Sequence, residues 1–281
     1  MTSTTLSDVV IAVAAATDVG LRRKANEDSF LADSPLFVVA DGMGGYEAGD
    51  RASAAVTQAF RQVVPASGLP SLTDIRRALS YAEAGVAEVA AMTSRGAGST
   101  VTGVALVEHL GVVQWLVFNV GDSRVYRHVG SGLEQLTVDH SLGQELIERG
   151  QLRPEDLHSF PERNVITRAI GAPDSTADSW LMPVTNGERL LICSDGLTSE
   201  VPDEGIRATL TISGRPDHAA EALVKQANQA GGRDNITVIV LDVVSGGVDA
   251  PGDYTTGAPL HESEEQSADD DTVPVREVPR A

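Results

Sequence analysis

The apolar run Leu36-Phe37-Val38-Val39-Ala40 stops at an acid, which opens the turn Asp41-Gly42-Met43-Gly44-Gly45. Five consecutive apolar residues read as a buried strand. Beyond the glycines, Ala52, Ala55, Val56, Ala59, Phe60 and Val63 recur at helical spacing within residues 46–64. A strand, a glycine-rich turn and an amphipathic helix thus follow one another, with a carboxylate at the strand's end. The glycines let the backbone turn sharply and lie close to whatever the carboxylate holds. A carboxylate beside bare carbonyl oxygens begins a site for a hard cation, because magnesium and manganese take oxygen ligands. Taken alone, the pattern describes equally well a strand-to-helix turn with a solvated Asp41.

Two more acids share this setting. Asp195-Gly196 ends a strand over 189–194, and Asp234 follows Gly231-Gly232 just before an apolar strand over 236–244. If these strands are antiparallel neighbours, Asp41, Asp195 and Asp234 reach one rim of a sheet. Carboxylates gathered at a partly buried place repel one another unless cations compensate them. An all-oxygen donor set favours Mg²⁺ or Mn²⁺. Zinc spacings are missing, with no cysteine pair and no HExxH, and the six histidines (109, 128, 140, 158, 218, 261) are scattered. Two cations roughly 3.5–4 Å apart would share a water and generate a hydroxide at neutral pH, suited to in-line attack on a phosphate ester. Arg23 offers a two-pronged donor for phosphate oxygens, although a surface base is an equal reading. Asp122, in Gly121-Asp122, reads as readily as a hairpin residue.

The remaining chain frames these acids. Residues 1–7 are small and polar and are expected to be flexible; a first strand covers 8–17 and a second 29–32. Alanine-rich helices over 46–64 and 72–92 look like a pair covering a sheet. Strands over 99–107, 112–120 and 123–128, joined by short turns and continued at 133–136, suggest an antiparallel meander. A short helix over 140–150 leads into an irregular, proline-containing stretch. Helices over 203–210 and 217–230 precede the final strand. Strands, two helices, more strands, two helices and a strand fit packed sheets with helices outside better than a parallel βαβ array.

Composition narrows the function. The chain has 281 residues, enough for one large domain or two small ones. Its formal charge of −19 disfavours nucleic acid and anionic membranes as partners. No run approaches the roughly 18 apolar residues of a membrane helix, and no signal peptide is read, so a cytoplasmic protein is the default. Cys193 is the single cysteine and sits in an apolar run, where a core role is expected. Residues 245–281 form an acidic tail without apolar periodicity, expected to be disordered. Within it, Asp269-Asp270-Asp271-Thr272 could be a kinase target, or a plain solvated linker end.

Eight pieces of the sequence, in order, resemble the metal-dependent serine/threonine protein phosphatases of type 2C in their bacterial form. They begin with residues 20–28 (GLRRKANED), 39–45 (VADGMGG), 98–100 (GST) and 119–124 (NVGDSR), and continue with 139–142 (DHSL), 164–171 (NVITRAIG), 194–197 (SDGL) and 232–237 (GRDNIT). The resemblance covers about 8–244. It implies an α+β four-layer sandwich, two packed antiparallel sheets flanked by helix pairs, and a catalytic domain with a substrate-contacting flap near 139–178. It also implies roles. Asp41 would bridge two metals and Gly42 would offer its carbonyl. Asp195 and Asp234 would complete the first metal, and Glu27 and Asp28 would hold metal-bound waters. Asp122 with Asp195 would make a third metal site. Arg23 would bind the substrate phosphate, Asn235 would support Asp234, and Thr100 would line the site. The implied cofactors are two Mn²⁺ or Mg²⁺ ions with a third, and the implied partners are phosphorylated proteins, including a serine/threonine kinase that the enzyme opposes. A monomer is expected. Alternatives are a catalytically silent phosphoprotein-binding regulator and a phosphatase of small phosphate esters. Many animal members carry a histidine general acid where this chain has Met43, and a thioether cannot donate a proton. The leaving group then needs another donor, either a metal-bound water or His140.

Overall fold

In the strand β4 (Leu36–Met43), successive side chains point to opposite faces. Leu36, Val38 and Ala40 pack against helices, while Phe37 and Val39 pack against a second sheet. A strand covered on both faces must be apolar at every position, which is why its sequence shows an unbroken run. The computed structural model describes residues 1–43, 48–65 and 68–249. Gly44, Gly45, most of the acidic tail and Thr272 lie outside the described residues.

All strand pairings are antiparallel. One sheet has the order β10 (Asp178–Pro183), β7 (Val112–Val120), β6 (Val101–His109), β4, β3 (Asp28–Asp33), with the short β5 (Gly98–Ser99) pairing the end of β4. The other has the order β1 (Thr2–Leu6), β2 (Val9–Asp18), β12 (Ile236–Ser245), β11 (Arg189–Cys193), β8 (Arg124–Val129), β9 (Gly132–Gln135). The sheets meet through Phe37, Val39, Trp115, Val117, Ile192 and Ile239. Helices α1 (Gly49–Val63) and α2 (Leu72–Ala91) cover the first sheet. Helices α5 (Asp203–Ile212) and α6 (Pro216–Ala230) cover the second. The four-layer expectation therefore holds. α2 starts where Ser71 and Asp74 form a reciprocal capping box: Asp74 N–H donates to Ser71 Oγ at 3.2 Å and Ser71 N–H to Asp74 Oδ2 at 2.8 Å. Among the described residues no helix is long and apolar enough to cross a membrane.

Five expectations need correction. The strands that carry Asp41, Asp195 and Asp234 do not neighbour one another in one sheet: β4 belongs to the first sheet and β11 and β12 to the second, so the acids meet across the two sheets. Residues 2–6 are not loose but form β1, because Ser7 and Asp8 take φ of 44° and 71° and close a two-residue hairpin onto β2. The meander breaks after β7: residues 121–123 carry the chain from one sheet to the other, so Asp122 does not sit in a hairpin. β10 went unread because its apolar core, Trp180-Leu181-Met182, is short and ends in Pro183. As an edge strand it tolerates that proline. Finally, the backbone stays paired past 245: Val248 N–H donates to Val184 O at 2.8 Å. Between β9 and β10 lie α3 (Leu142–Glu148) and a 3-10 helix (Pro154–Ser159). The bridges Ser141 to Ile166 and Ser99 to Ile170 tie this segment back beside β4.

Candidate active site

β3 and β4 place Asp28 directly opposite Asp41. The backbone of Asp41 is fixed on both sides. Its N–H donates to Thr100 Oγ1 at 3.0 Å, and its carbonyl accepts from Thr100 N–H at 2.9 Å and Ser99 Oγ at 3.1 Å. Thr100 is buried and grips this backbone; it does not line the cleft. A Cβ at Gly42 would lie 2.0 Å from Gly49 O and 2.7 Å from Glu27 O, so only glycine lets these segments meet beside the acid.

β11 and β12 deliver the other acids. Asp195 opens the short helix α4 (Asp195–Thr198) immediately after β11. Ser194 links the strands: it accepts from Thr237 N–H at 3.0 Å and donates to Asp28 Oδ2 at 2.8 Å. Asn235 fastens the loop that carries Arg23. Its Oδ1 accepts from Glu27 N–H at 2.8 Å, and its Nδ2 donates to the carbonyls of Val19 and Ala25 at 2.9 Å each. Arg23 Nη2 donates to Asp234 Oδ2 at 2.7 Å, and its Nη1 lies 3.6 Å from Glu27 Oε2.

The result is a cleft of about 420 Å³. Asp41, Asp122, Asp195, Asp234 and Glu27 line it, Gly42 contributes backbone, and Arg22, Arg23 and Lys24 stand at its side. Asp28 is outside the lining, as is its hydroxyl partner Ser194. Seven of the ten expected site residues thus line one cleft, while Asp28, Asn235 and Thr100 lie outside its lining and hold its parts by hydrogen bonds.

Electrostatics show what the cleft lacks. Burial, then the charges of Asp195 and Asp234, push Asp28 up to about 7 against the pull of the Ser194 and Thr237 hydroxyls. Burial and Asp234 push Asp195 up to about 6, opposed by a hydrogen bond with Asp41 and the charges of Arg23 and Arg124. Asp41 and Asp122 lie well above the usual carboxylate range, through burial first and neighbouring aspartates second. One buried oxygen on each of Asp28, Asp122 and Asp195 has no hydrogen-bond partner. Such atoms cost free energy unless something else meets them. Among the described residues no three His, Cys, Asp or Glu side chains already converge as a metal-ligand set, as expected of like charges that nothing compensates. Repelling carboxylates with buried, unpartnered oxygens, and no histidine or cysteine in the lining, fit hard divalent cations.

His140 is excluded as a proton donor to the cleft. It is 4% exposed and absent from the lining. Its Nδ1 accepts from Gly121 N–H at 3.1 Å, and its Nε2 faces Asp178 Oδ2 at 3.3 Å. Met43 does line the cleft, with Ile166 and Asn164 on the flap side. Sequence reasoning missed Ser194, although its place just before Asp195-Gly196 was a usable signal. Asn164 and Ile166 stand in the 164–171 piece, but only tertiary folding puts them in the cleft lining with Asp41 and Asp122.

Comparison with known proteins agrees with this geometry. The family pattern described as protein phosphatase 2C matches residues 22–226. The serine/threonine protein phosphatase PstP of Mycobacterium tuberculosis is 36% identical over 245 residues, covering 84% of this chain and 46% of that protein; the match spans less than half of PstP. The serine/threonine phosphatase stp of Listeria monocytogenes is 32% identical over 239 residues, covering 80% of this chain and 93% of that one. The solved catalytic domain of PstP in complex with two manganese ions superimposes with a TM-score of 0.75 at 33% identity, covering 84% of this chain and 100% of that one. The eight sequence pieces, the two-sheet sandwich and the acidic cleft at its rim converge on one conclusion: the chain belongs to the protein phosphatase 2C family.

Proposed function

We propose that this chain is a metal-dependent phosphatase that removes phosphate from phosphoserine and phosphothreonine in proteins. The observation that carries the reading is the cluster of carboxylates, with buried, unpartnered oxygens on Asp28, Asp122 and Asp195, set beside the Arg23 guanidinium. Asp41, the Gly42 carbonyl, Asp195 and Asp234 are the residues to hold two Mn²⁺ or Mg²⁺ ions. Glu27 and Asp28 assist through water, and Asp122 with Asp195 serves a third ion. Bound cations would neutralise the acids, polarise the phosphoryl group and lower the pKa of water at neutral pH.

The chain's own residues do the rest. Arg23 exchanges Asp234 and Glu27 for the oxygens of an incoming phosphate and orients the ester by two parallel hydrogen bonds. Asn235 holds the Arg23 loop at fixed distance from Asp41. Ser194 keeps Asp28 turned to its strand, and Thr100 keeps Asp41 from shifting along its own. The apolar side chains of Met43 and Ile166 exclude water from one side of the phosphate. With Met43 and His140 unable to donate, the proton for the leaving alkoxide comes from solvent within the cleft. The catalytic unit spans about 8–244, and the segment near 139–178 is its flap. A monomer in the cytoplasm, opposing a serine/threonine kinase, suits a chain of this charge whose relatives are named serine/threonine phosphatases.

The test is phosphate release from a phosphothreonine peptide. Release is expected with Mn²⁺ and abolished by a chelator. Release undiminished after chelation would remove the metal-dependent reading, and no release at any Mn²⁺ concentration would favour a silent binding module.

A further inference from the structure

Two buried side chains with no place in the chemistry above, His140 and Asn119, hold one turn. Gly121 precedes Asp122, and every polar atom of its backbone is held. Gly121 N–H donates to His140 Nδ1 at 3.1 Å. Its carbonyl accepts from His140 N–H at 2.9 Å and from Asn119 Nδ2 at 3.0 Å. Acceptance at Nδ1 places the imidazole proton on Nε2, which lies 3.3 Å from its acceptor Asp178 Oδ2 and also 3.3 Å from Arg168 Nη1, a group that can only donate and so does not bond to it. Arg168 Nη1 donates to Asp178 Oδ1 at 3.1 Å and fixes that carboxylate in turn. His140 and Asp178 are 4% and 1% exposed, so the ring has one orientation. His140, Arg168 and Asp178 belong to the flap segment near 139–178, whereas Asp122 faces the cleft with a buried, unpartnered oxygen.

We propose that His140, braced by Asp178 and Arg168, is a positioning residue that holds the Gly121–Asp122 turn so that Asp122 presents its free oxygen to a divalent cation. The proposal rests on the phosphatase reading of the site. It adds that the base of the flap, and not only the strand end, sets the Asp122 ligand. Such a brace has a direction: what matters is an acceptor at the Nδ1 position, because that atom touches Gly121. Second-layer hydrogen bonds of this kind tune metal affinity by about 10–100-fold.

The two half-isosteres of histidine separate this from simple packing. In His140→Asn the amide oxygen replaces Nδ1 and keeps the bond from Gly121. In His140→Gln the amide reaches toward Asp178 and offers nothing at Nδ1. Mn²⁺ binding by the full chain, followed by electron paramagnetic resonance of free Mn²⁺, is measured for the wild type, Asp122→Asn and both His140 variants. The wild type is expected to bind tight Mn²⁺ plus a weaker ion that Asp122→Asn loses. His140→Gln weakens that ion about 10-fold or more, His140→Asn stays near wild type, and the tight ions are unchanged. Gly121→Ala is expected to reproduce the loss. A Cβ there would lie 2.6 Å from Thr100 Cγ2 at φ +112° and would push the same turn from its other side. If the Gln and Asn variants bind Mn²⁺ alike, whether both weakened or both intact, the proposal is overturned. Tight Mn²⁺ with no Asp122-dependent ion overturns it while leaving the phosphatase reading standing; no Mn²⁺ at all overturns both.

Discussion

Burial and neighbouring aspartates push Asp28 up to about 7 and Asp195 up to about 6, from an ordinary carboxylate value of 3.8. Both folded values are raised, so between these limits the folded state binds more protons than the unfolded one. Stability then falls as pH climbs from about 4 through about 7. Metal-free protein is accordingly expected to melt several degrees lower at pH 8 than at pH 5.5, and saturating Mn²⁺ to remove the difference. A melting temperature in metal-free buffer that does not fall across this interval would contradict the assignment. Arg23 makes the second residue-level case. Its planar fork spans Asp234 and Glu27 on one side of the cleft. Arg23→Lys keeps the charge but loses the paired hydrogen bonds. Losing about 1.5–3 kcal/mol of charge-assisted bonding should lower kcat/KM on a phosphothreonine peptide by about 10–150-fold. An unchanged kcat/KM would return Arg23 to the role of a surface base.

Hairpins show both the reach and the limits of reading elements from sequence. β6 and β7 are joined by Leu110-Gly111, with φ of 52° and 76°. Both central residues of that tight turn are left-handed, a conformation that suits Asn-Gly and strains a leucine. Leu110 is 86% exposed and gains nothing from packing. Leu110→Asn should therefore stabilise the protein by about 0.5–1 kcal/mol in urea denaturation; destabilisation would show that the leucine has a partner in solution. β4, β6, β7, β11, β12 and the long helices were legible because each is a continuous apolar run or a helical stripe. β1 was not, since Thr2-Ser3-Thr4-Thr5 offers no apolar alternation and is ordered by the turn that follows it. β10 was not, since it is short and ends in proline. The strands of Asp41, Asp195 and Asp234 are not neighbours in one sheet, as the sequence suggested: only β11 and β12 pair, and β4 lies in the other sheet. That the acids meet depends on two sheets placing the ends of β4 and β11 and the start of β12 together, which no local pattern encodes. His140 was misread for the same reason: a histidine beside an acid and a serine looks like chemistry until its burial and its bond to Gly121 are seen.

The whole molecule is two sheets held face to face, with the cleft at one end of their strands. Away from the cleft, one buried cluster pins the sheets polar to polar. Glu188 Oε1 accepts from Trp115 Nε1 at 2.9 Å and from Thr185 N–H at 2.8 Å, while Oε2 accepts from Arg127 Nε at 2.6 Å. Trp115 belongs to one sheet and Arg127 to the other. Removing the acid leaves Arg127 without its buried counter-charge, so Glu188→Ala should cost about 3–5 kcal/mol of unfolding free energy. Tight Mn²⁺ binding should survive in the folded fraction, because nothing in this cluster touches the cleft; loss of that binding without loss of stability would contradict the separation. The acids of the cleft invert this logic. One oxygen on each of Asp28, Asp122 and Asp195 is buried without a partner and retained at a cost to stability, which is the pattern of a site kept for function.

Asp41 stands at the centre of that pattern, and Asp41→Asn tests it most directly. The measurement is phosphate release from a phosphothreonine peptide at saturating Mn²⁺. The predicted result is a fall of more than about 100-fold relative to the wild type, beyond what loss of a supporting residue produces, in a protein that remains folded. Activity within a few-fold of the wild type would mean that Asp41 does not hold the catalytic cation and that the cleft works by another arrangement.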